Sequence, residues 1–271
     1  MIQDIFPHVL YNQYDPVAKP EGEDWVLCFD GQQLLLGPQD RFPMVKELES
    51  GEDIYLFTVD KERYFLRQQL DAVPRGFTFA DVKQLRREQR LPKHRIFAAL
   101  TGKHLADWYR DTRFCGRCGA ETIHSSTERA RKCPACGYTA YPRIMPAVIV
   151  GVKNGDKLLI TRYRTGFAHN ALIAGFTEIG ETAEQTVARE VMEEAGIRVK
   201  NIRYYASQPW GIANDLLMGF FCELDGDGTI HMDENELKYA QWVPREEIEL
   251  QPDDFSLTNE MMTRFKTGAE Q

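Results

Sequence analysis

Two Cys-x-x-Cys pairs restrict what this chain can fold into more than any other feature. Phe114-Cys115-Gly116-Arg117-Cys118-Gly119 precedes Cys133-Pro134-Ala135-Cys136-Gly137, with fourteen residues between Cys118 and Cys133. In each pair a glycine follows the second cysteine and permits the positive φ of a tight knuckle. Four thiolates at about 2.3 Å fill a tetrahedral shell around Zn²⁺, and a shell with no open position is structural, not catalytic. A thioredoxin-type redox pair would account for one Cys-x-x-Cys, not for two matched ones. The expected zinc ligands are therefore Cys115, Cys118, Cys133 and Cys136. Cys28 and Cys222 lie in apolar strand-like runs and read as plain core residues. This usage fits a reducing compartment better than a disulfide framework.

With 271 residues, 43% of them apolar, the chain is long enough for one large domain or two modest ones. No apolar run approaches the roughly 20 residues that span a bilayer. The first ten residues lack a basic cluster ahead of an apolar stretch, so no signal peptide is expected, and the expected address is cytoplasmic, with no membrane partner. Net charge is −8, yet Asp81 to Val150 carries 14 Lys/Arg against 6 Asp/Glu, leaving −16 for the remainder. Such asymmetry is compatible with solvated faces, or with a basic middle that meets an anionic ligand while the acidic part holds cations. Arg129, Arg131 and Lys132 in the cysteine-rich stretch keep nucleic-acid binding open.

Residues 1–100 read as a β-rich domain without a catalytic constellation. Trp25–Phe29 and Asp53–Val59 are strand-like, Asp30-Gly31 is a turn signal, and Phe77–Leu100 is expected to be largely helical with a break at Pro92. The cysteine-rich segment occupies 110–142. From 143 to 271, Ala147–Val152 and Lys157–Ile160 flank an Asn154-Gly155 hairpin signal. Asn201–Ala206 and Leu216–Leu224 are further strand candidates, and Ala183–Ala195 and Leu257–Phe265 are helix candidates.

Residues 175–197 carry the chemistry. Thr182 with Gln185 three positions later forms a capping box, so a helix starts at Ala183. Gly196 is the expected stop. Glu190, Glu193 and Glu194 stand at i, i+3 and i+4 on one face, where like charges repel. Val187 and Val191 supply an apolar stripe for packing on a sheet. Clustered carboxylates suit Mg²⁺ or Mn²⁺, which take oxygen ligands and commonly bridge to substrate phosphates. On spacing alone, a solvated acidic helix face is the commoner reading.

The same segment resembles the Nudix box at every fixed position: Gly175, five residues, Glu181, seven residues, Arg189-Glu190, Val191, one residue, Glu193-Glu194, one residue, Gly196-Ile197. The resemblance implies an α/β fold, a Nudix α/β/α sandwich that cleaves nucleoside diphosphates linked to another moiety. It implies Glu190, Glu193 and Glu194 as Mg²⁺ or Mn²⁺ ligands, Gly175 as the residue shaping the loop before the helix, and Arg189 with Glu181 as the pair that orients the carboxylates.

The whole chain resembles the NADH pyrophosphatase subfamily: an N-terminal β-rich domain, a four-cysteine zinc ribbon, the Nudix domain, and Ser207-Gln208-Pro209-Trp210 ten residues past the box. The resemblance implies a homodimer that hydrolyses NAD(H) to a nicotinamide mononucleotide and AMP, and NAD-capped RNA as a further substrate. It implies Glu236 as an additional metal ligand or general base. It also implies Tyr141, Phe176, Gly175, Ser207, Gln208, Trp210 and Asp215 as substrate contacts, with Tyr141 and Phe176 as stacking rings. The chain departs from the subfamily after Trp210: Gly211-Ile212-Ala213-Asn214-Asp215 stands where Pro-Phe-Pro-x-Ser is usual. That departure leaves the choice among NADH, NAD⁺, ADP-ribose and capped RNA open. A non-catalytic Nudix-fold regulator is the alternative from another class, although such proteins commonly lose box carboxylates and this chain keeps them all.

Overall fold

The computed structural model describes residues 1–165 and 169–270. The chain divides into two compact units. One comprises 3–143 together with 211–214. The other comprises 1–2, 144–210 and the chain from Asp215 onward.

In the first unit, β1 (Leu10–Tyr11), β2 (Trp25–Asp30), β3 (Gln33–Leu36), β4 (Asp53–Val59), β5 (Glu62–Arg67) and β6 (Thr78–Asp81) form one sheet in the order β1-β4-β5-β2-β3-β6. α1 (Val82–Arg87) and α2 (Lys93–Asp111) follow. The expected helical stretch from Phe77 is corrected at both ends. Thr78–Asp81 pairs with β3 as an edge strand, Asp81 caps α1, and α2 runs eleven residues past Leu100. Pro92 does separate the two helices, as a residue without an N–H should. Gly102 lets α2 lie directly on the sheet, since a Cβ there would sit 2.2 Å from Leu27. Cys28 is buried among Val26 and Leu35, as a core residue. The cysteine-rich stretch adds a small sheet of β7 (Ile123–His124), β8 (Arg131–Lys132) and β9 (Thr139–Ala140).

The second unit is a mixed sheet with helices on both faces. β10 (Met145–Asn154), β11 (Lys157–Tyr163), β12 (Ile173–Phe176), β13 (Arg198–Trp210), β14 (Asp215–Asp225) and β15 (Leu237–Pro244) run in the order β13-β14-β10-β11-β15, with β12 also on β10. α3 (Ala183–Ala195) lies on one face and α4 (Leu257–Thr267) on the other. Period-two alternation assigns the faces. Val148, Val150 and Val152 of β10 pack with Val187, Val191 and Ala195 of α3. Ile149 packs with Leu257, Met261 and Phe265 of α4. Val187 and Val191 are fully buried, which stabilises the helix seat by about 1.5–3 kcal/mol each. The hairpin forms one residue later than the Asn-Gly signal suggests. Asn154 pairs with Lys157, and Gly155 with φ +60° starts the two-residue turn. β12, β15 and most of the first unit's strands went unread in the sequence because they are short or lack clean alternation.

Candidate active site

The α3 helix begins as the sequence dictates. Thr182 accepts from the Gln185 amide at 3.2 Å, and the Gln185 side chain accepts from the Thr182 amide at 2.8 Å. Gly196 ends it with φ +67°. What the linear spacing does not give is that the three glutamates have three different environments.

Arg189 is the hub. Its Nε and Nη2 donate to the two oxygens of Glu181 at 2.6 and 2.9 Å, a bidentate pair. Nη2 also donates to the Phe176 carbonyl at 2.9 Å, and Nη1 to Glu190 at 2.7 Å and Glu193 at 3.0 Å. The Arg189 guanidinium holds the Glu181 carboxyl down at about 2, helped by the Glu178 amide and the Thr186 hydroxyl. Glu193 is well exposed, whereas Glu190 is only 12% exposed and lies directly over Gly175. A Cβ at 175 would come within 1.9 Å of the Glu190 carboxyl carbon, so the box glycine is the space that this carboxylate fills. Burial, together with the Glu193 and Glu236 charges, raises the Glu190 pKa against the pull of Arg189.

Glu194 turns inward and is 1% exposed. Among the described residues it accepts only long hydrogen bonds, from the Tyr163 hydroxyl at 3.3 Å and the Ala174 amide at 3.4 Å. Burial first, then the Glu236 charge, pushes its pKa up to about 8. Glu236, exposed at the start of β15, thus faces the same site electrostatically. Tyr163, Ala174 and Thr186 were missed in the sequence. Alternation along β11 from the buried Leu159 could have put Tyr163 on the α3 face, but its pairing with Glu194 is a tertiary fact.

The donor set fits a divalent cation. Buried carboxylates that resist ionisation beside one another are stabilised by a nearby dication, and carboxylate oxygen is the donor that Mg²⁺ and Mn²⁺ prefer. The fit is to an ion that brings its own waters and phosphate ligands. Among the described residues the only group with ligand atoms all within 4.8 Å of one another is the four cysteines.

Those cysteines are drawn together by two matching knuckles. Gly119 and Gly137 have φ +75° and +73°, and each donates its amide to the carbonyl of the first cysteine of its pair. Sγ of Cys115 lies 3.6 Å from that of Cys136, and Sγ of Cys118 lies 3.5 Å from that of Cys133. The edge of a tetrahedron with ~2.3 Å bonds is about 3.8 Å, so the sulfurs stand at zinc spacing and not at disulfide spacing. The Cys136 and Ala135 amides help to lower the Cys133 thiol to about 6. Of the basic residues singled out beside them, Arg129 is largely buried against Asn12 and the Leu56 carbonyl, and Arg131 is buried against Thr122. Neither presents its charge as a nucleic-acid surface would; Lys132 is half-exposed but lies 3.7 Å from the Glu128 carboxylate.

The expected substrate contacts divide. Phe176 and Tyr141 have half-exposed rings, each in its own unit, so neither is a core residue. Ser207 and Trp210 are half-buried. Gln208 is a correction. It is fully buried, its amide donates to the Phe255 carbonyl and its oxygen accepts from the Leu257 amide, both at 2.7 Å. Both ends are thus spent tying β13 to the start of α4. Asp215 is buried at the head of β14 with one carboxyl oxygen unpartnered, and burial pushes its pKa up to about 7. Gly211 has its own reason to replace proline: a Cβ there would meet the Leu100 carbonyl oxygen at 2.3 Å.

Residues 143–265 match the NUDIX domain, and residues 110–141 match the NADH pyrophosphatase zinc ribbon domain. The chain is 46% identical over 154 residues to the NAD-capped RNA hydrolase NudC of Shigella flexneri, and 45% identical over 154 residues to that of Escherichia coli O1:K1 / APEC. Each match spans 56% of this chain and 59% of the relative, so about three-fifths of the curated relatives' length is covered. Among solved structures, a NUDIX hydrolase from Nitrosomonas europaea superposes with a TM-score of 0.50 at 26% identity, covering 57% of this chain and 90% of that one.

Proposed function

We propose that this chain, whose residues 143–265 are a NUDIX domain behind an NADH pyrophosphatase zinc ribbon, hydrolyses the pyrophosphate bond of NAD(H) to a nicotinamide mononucleotide and AMP. The observation that carries this reading is Glu194, a buried carboxyl with a raised pKa, facing Glu236 and Glu190 beneath the box loop. Mg²⁺ or Mn²⁺, held by Glu190, Glu193, Glu194 and Glu236, would neutralise the diphosphate and acidify a bound water. The chain's own residues do the positioning. Glu181 fixes Arg189, Arg189 fixes Glu190 and Glu193, and Tyr163 with the Ala174 amide aims Glu194. Phe176 and Tyr141 offer ring faces for stacking, worth about 1–3 kcal/mol per base. Gly175, Ser207, Trp210 and Asp215 complete the proposed substrate contacts.

The names of the relatives support removal of NAD caps from RNA as a second activity of the same site. The retained box carboxylates argue against a non-catalytic regulator. A reducing cytoplasmic setting is supported by the four free thiols of the ribbon; among the described residues, no helix is long and apolar enough to cross a membrane. A homodimer is supported by the subfamily resemblance and by exposed Ile144, Phe176 and Ile179 in the catalytic unit. The test is a product assay over NADH, NAD⁺, ADP-ribose and NAD-capped RNA, with Mg²⁺ or Mn²⁺. Metal-dependent release of AMP from NADH or NAD⁺ is expected. Hydrolysis of ADP-ribose alone would overturn the substrate, and no hydrolysis with either metal would overturn the reaction.

A further inference from the structure

The first unit contains a cleft of about 710 Å³, within the size range of small-molecule sites. Its walls are the β2–β3 turn, the chain on either side of β4 and β5, the last turns of α2, and the β7–β8 edge of the ribbon. The two sides differ in charge. The sheet side carries Asp30, Glu49, Glu52 and Asp71, none of them in an ion pair among the described residues. The helix and ribbon side carries Arg110, Arg113, His124 and Arg131 together with Asp107 and Glu121.

Arg131 is the decisive residue. It is only 8% exposed, yet its guanidinium has no carboxylate partner among the described residues. Nε donates to the Thr122 hydroxyl at 2.9 Å and Nη2 to the Thr122 carbonyl at 2.6 Å, both neutral acceptors. Nη1 has no protein acceptor among the described residues. A buried cation without a counter-charge is costly, and proteins normally pair it. Glu52 and Glu121 act on it only at long range. His124 stands beside it, half-buried, its ring 5.4 Å from that of the buried Tyr109. Arg110 and Arg113 stand on the same side of the cleft with more than half of each side chain exposed; Arg110 pairs with Asp107 and Asp111 and Arg113 with Glu121, and such solvent-exposed pairs hold a guanidinium only weakly against a better anion. This side is therefore a preformed anion subsite: a guanidinium without a carboxylate partner set back in the wall, with two exposed, surface-paired guanidiniums flanking it.

A bare anion would use little of the space. The opposite wall, with four unpaired carboxylates, accepts hydrogen bonds from hydroxyl and amino groups. We infer that this cleft binds a phosphate monoester carried on a hydroxyl-rich body, a nucleoside monophosphate or a sugar phosphate, with the phosphate on Arg131 and its neighbours. The inference stands apart from the hydrolase reading, since every lining residue lies in the other compact unit.

The test is isothermal titration of the zinc-loaded full chain carrying Glu194→Gln, with AMP, ribose 5-phosphate and inorganic phosphate as separate probes. Binding of AMP or ribose 5-phosphate at one site per chain, at least tenfold tighter than inorganic phosphate, is expected. The stronger of the two decides between nucleoside and sugar. Arg110→Ser with Arg113→Ser should weaken that binding at least tenfold, and Glu52→Gln should weaken it less. Neither change should alter NADH turnover when placed in the wild-type background. Arg131→Met should abolish binding; if that variant does not fold, the exposed arginine pair still decides. Failure of both esters to bind, or binding indifferent to the arginine pair, overturns the inference whether or not the chain hydrolyses NADH.

Discussion

The ribbon and the α3 helix both carry residues of metal-ligating type, thiols in one and carboxylates in the other, and they hold them in opposite ways. The four sulfurs already stand 3.5–3.6 Å apart across the two knuckles, because each Cys-x-x-Cys-Gly folds on itself through its own amides. The carboxylates are not gathered. Glu190 and Glu193 are held by Arg189, while Glu194 points away beneath β12 on two long hydrogen bonds. A thiol near its pKa can share protons with its neighbours and stay close. Three ionised carboxylates in partial burial must be kept apart or be paired. A closed, soft site can therefore be assembled locally from sequence. An open, hard one is left incomplete until ion and substrate arrive, and an incomplete coordination shell is what a turning-over site needs.

The largest expected effect tests the closed site. Cys133→Ser should abolish stoichiometric zinc and lower the melting temperature together, because structural zinc contributes on the order of 10 kcal/mol in isolated fingers. Full zinc by elemental analysis with an unchanged melting point would mean that the knuckles are not a metal site.

Next comes the open site. Glu194→Gln should lower kcat by ~10²–10⁴, or roughly 3–5 kcal/mol of barrier, with the fold and KM little changed. Glu193→Gln should fall in the same direction but less steeply, since Glu193 is exposed and shared with Arg189. Wild-type turnover in both at saturating Mg²⁺ would rule out the carboxylate mechanism. Glu184→Gln, in the first turn of the same helix but outside the box, should be silent.

A smaller effect distinguishes the two regions by pH. The Glu194 carboxyl titrates at about 8 in the fold against an ordinary value near 4.5. Its folded pKa is raised, so its contribution to stability is complete below about pH 4.5 and is lost as pH rises through about 8. Without divalent cation, the catalytic unit should lose stability across that window. Glu194→Gln should flatten the loss, and added Mg²⁺ should reduce it. Denaturant midpoints at pH 5 and pH 8 measure this, and an identical pH slope in wild type and variant would contradict the burial of Glu194.

The smallest expected change concerns selectivity. Asp215→Ser restores the hydroxyl of the resembled motif and removes a buried, half-unpartnered carboxyl. It should raise the NADH over ADP-ribose ratio of kcat/KM by a few-fold, and an unchanged ratio would remove Asp215 from the substrate contacts.

Much of the site was legible because its signals are short-range. A capping box, a C-terminal glycine, a Val187–Val191 stripe and two glycine-closed knuckles each need only a few consecutive residues, and the structure realises all of them. The hairpin shift by one residue, the strand at Thr78–Asp81 and the length of α2 were not legible. The last two depend on pairing or packing with a distant segment, Asp81 with Gln33 and Gly102 against Leu27, while the hairpin shift is a local choice of register in which Asn154 pairs with Lys157. Gln208 shows the same limit in the site itself. A motif residue reads as a ligand contact until the fold reveals that its amide is bonded to the Phe255 carbonyl and the first amide of α4.

The sequence by itself determined which atoms can bind which metal, because thiolate and carboxylate chemistry and helical spacing are local properties. Only the tertiary structure decided how those atoms differ from one another. Three glutamates within five residues became one exposed, one largely buried over Gly175 and one fully buried with its pKa pushed up to about 8. Arg131, one basic residue among many in the sequence, became a buried cation without a carboxylate partner among the described residues. The physical reason is the same in both cases. The state of an ionisable group is set by its solvent exposure and by the charges around it, and those neighbours come from strands and helices far away in the chain.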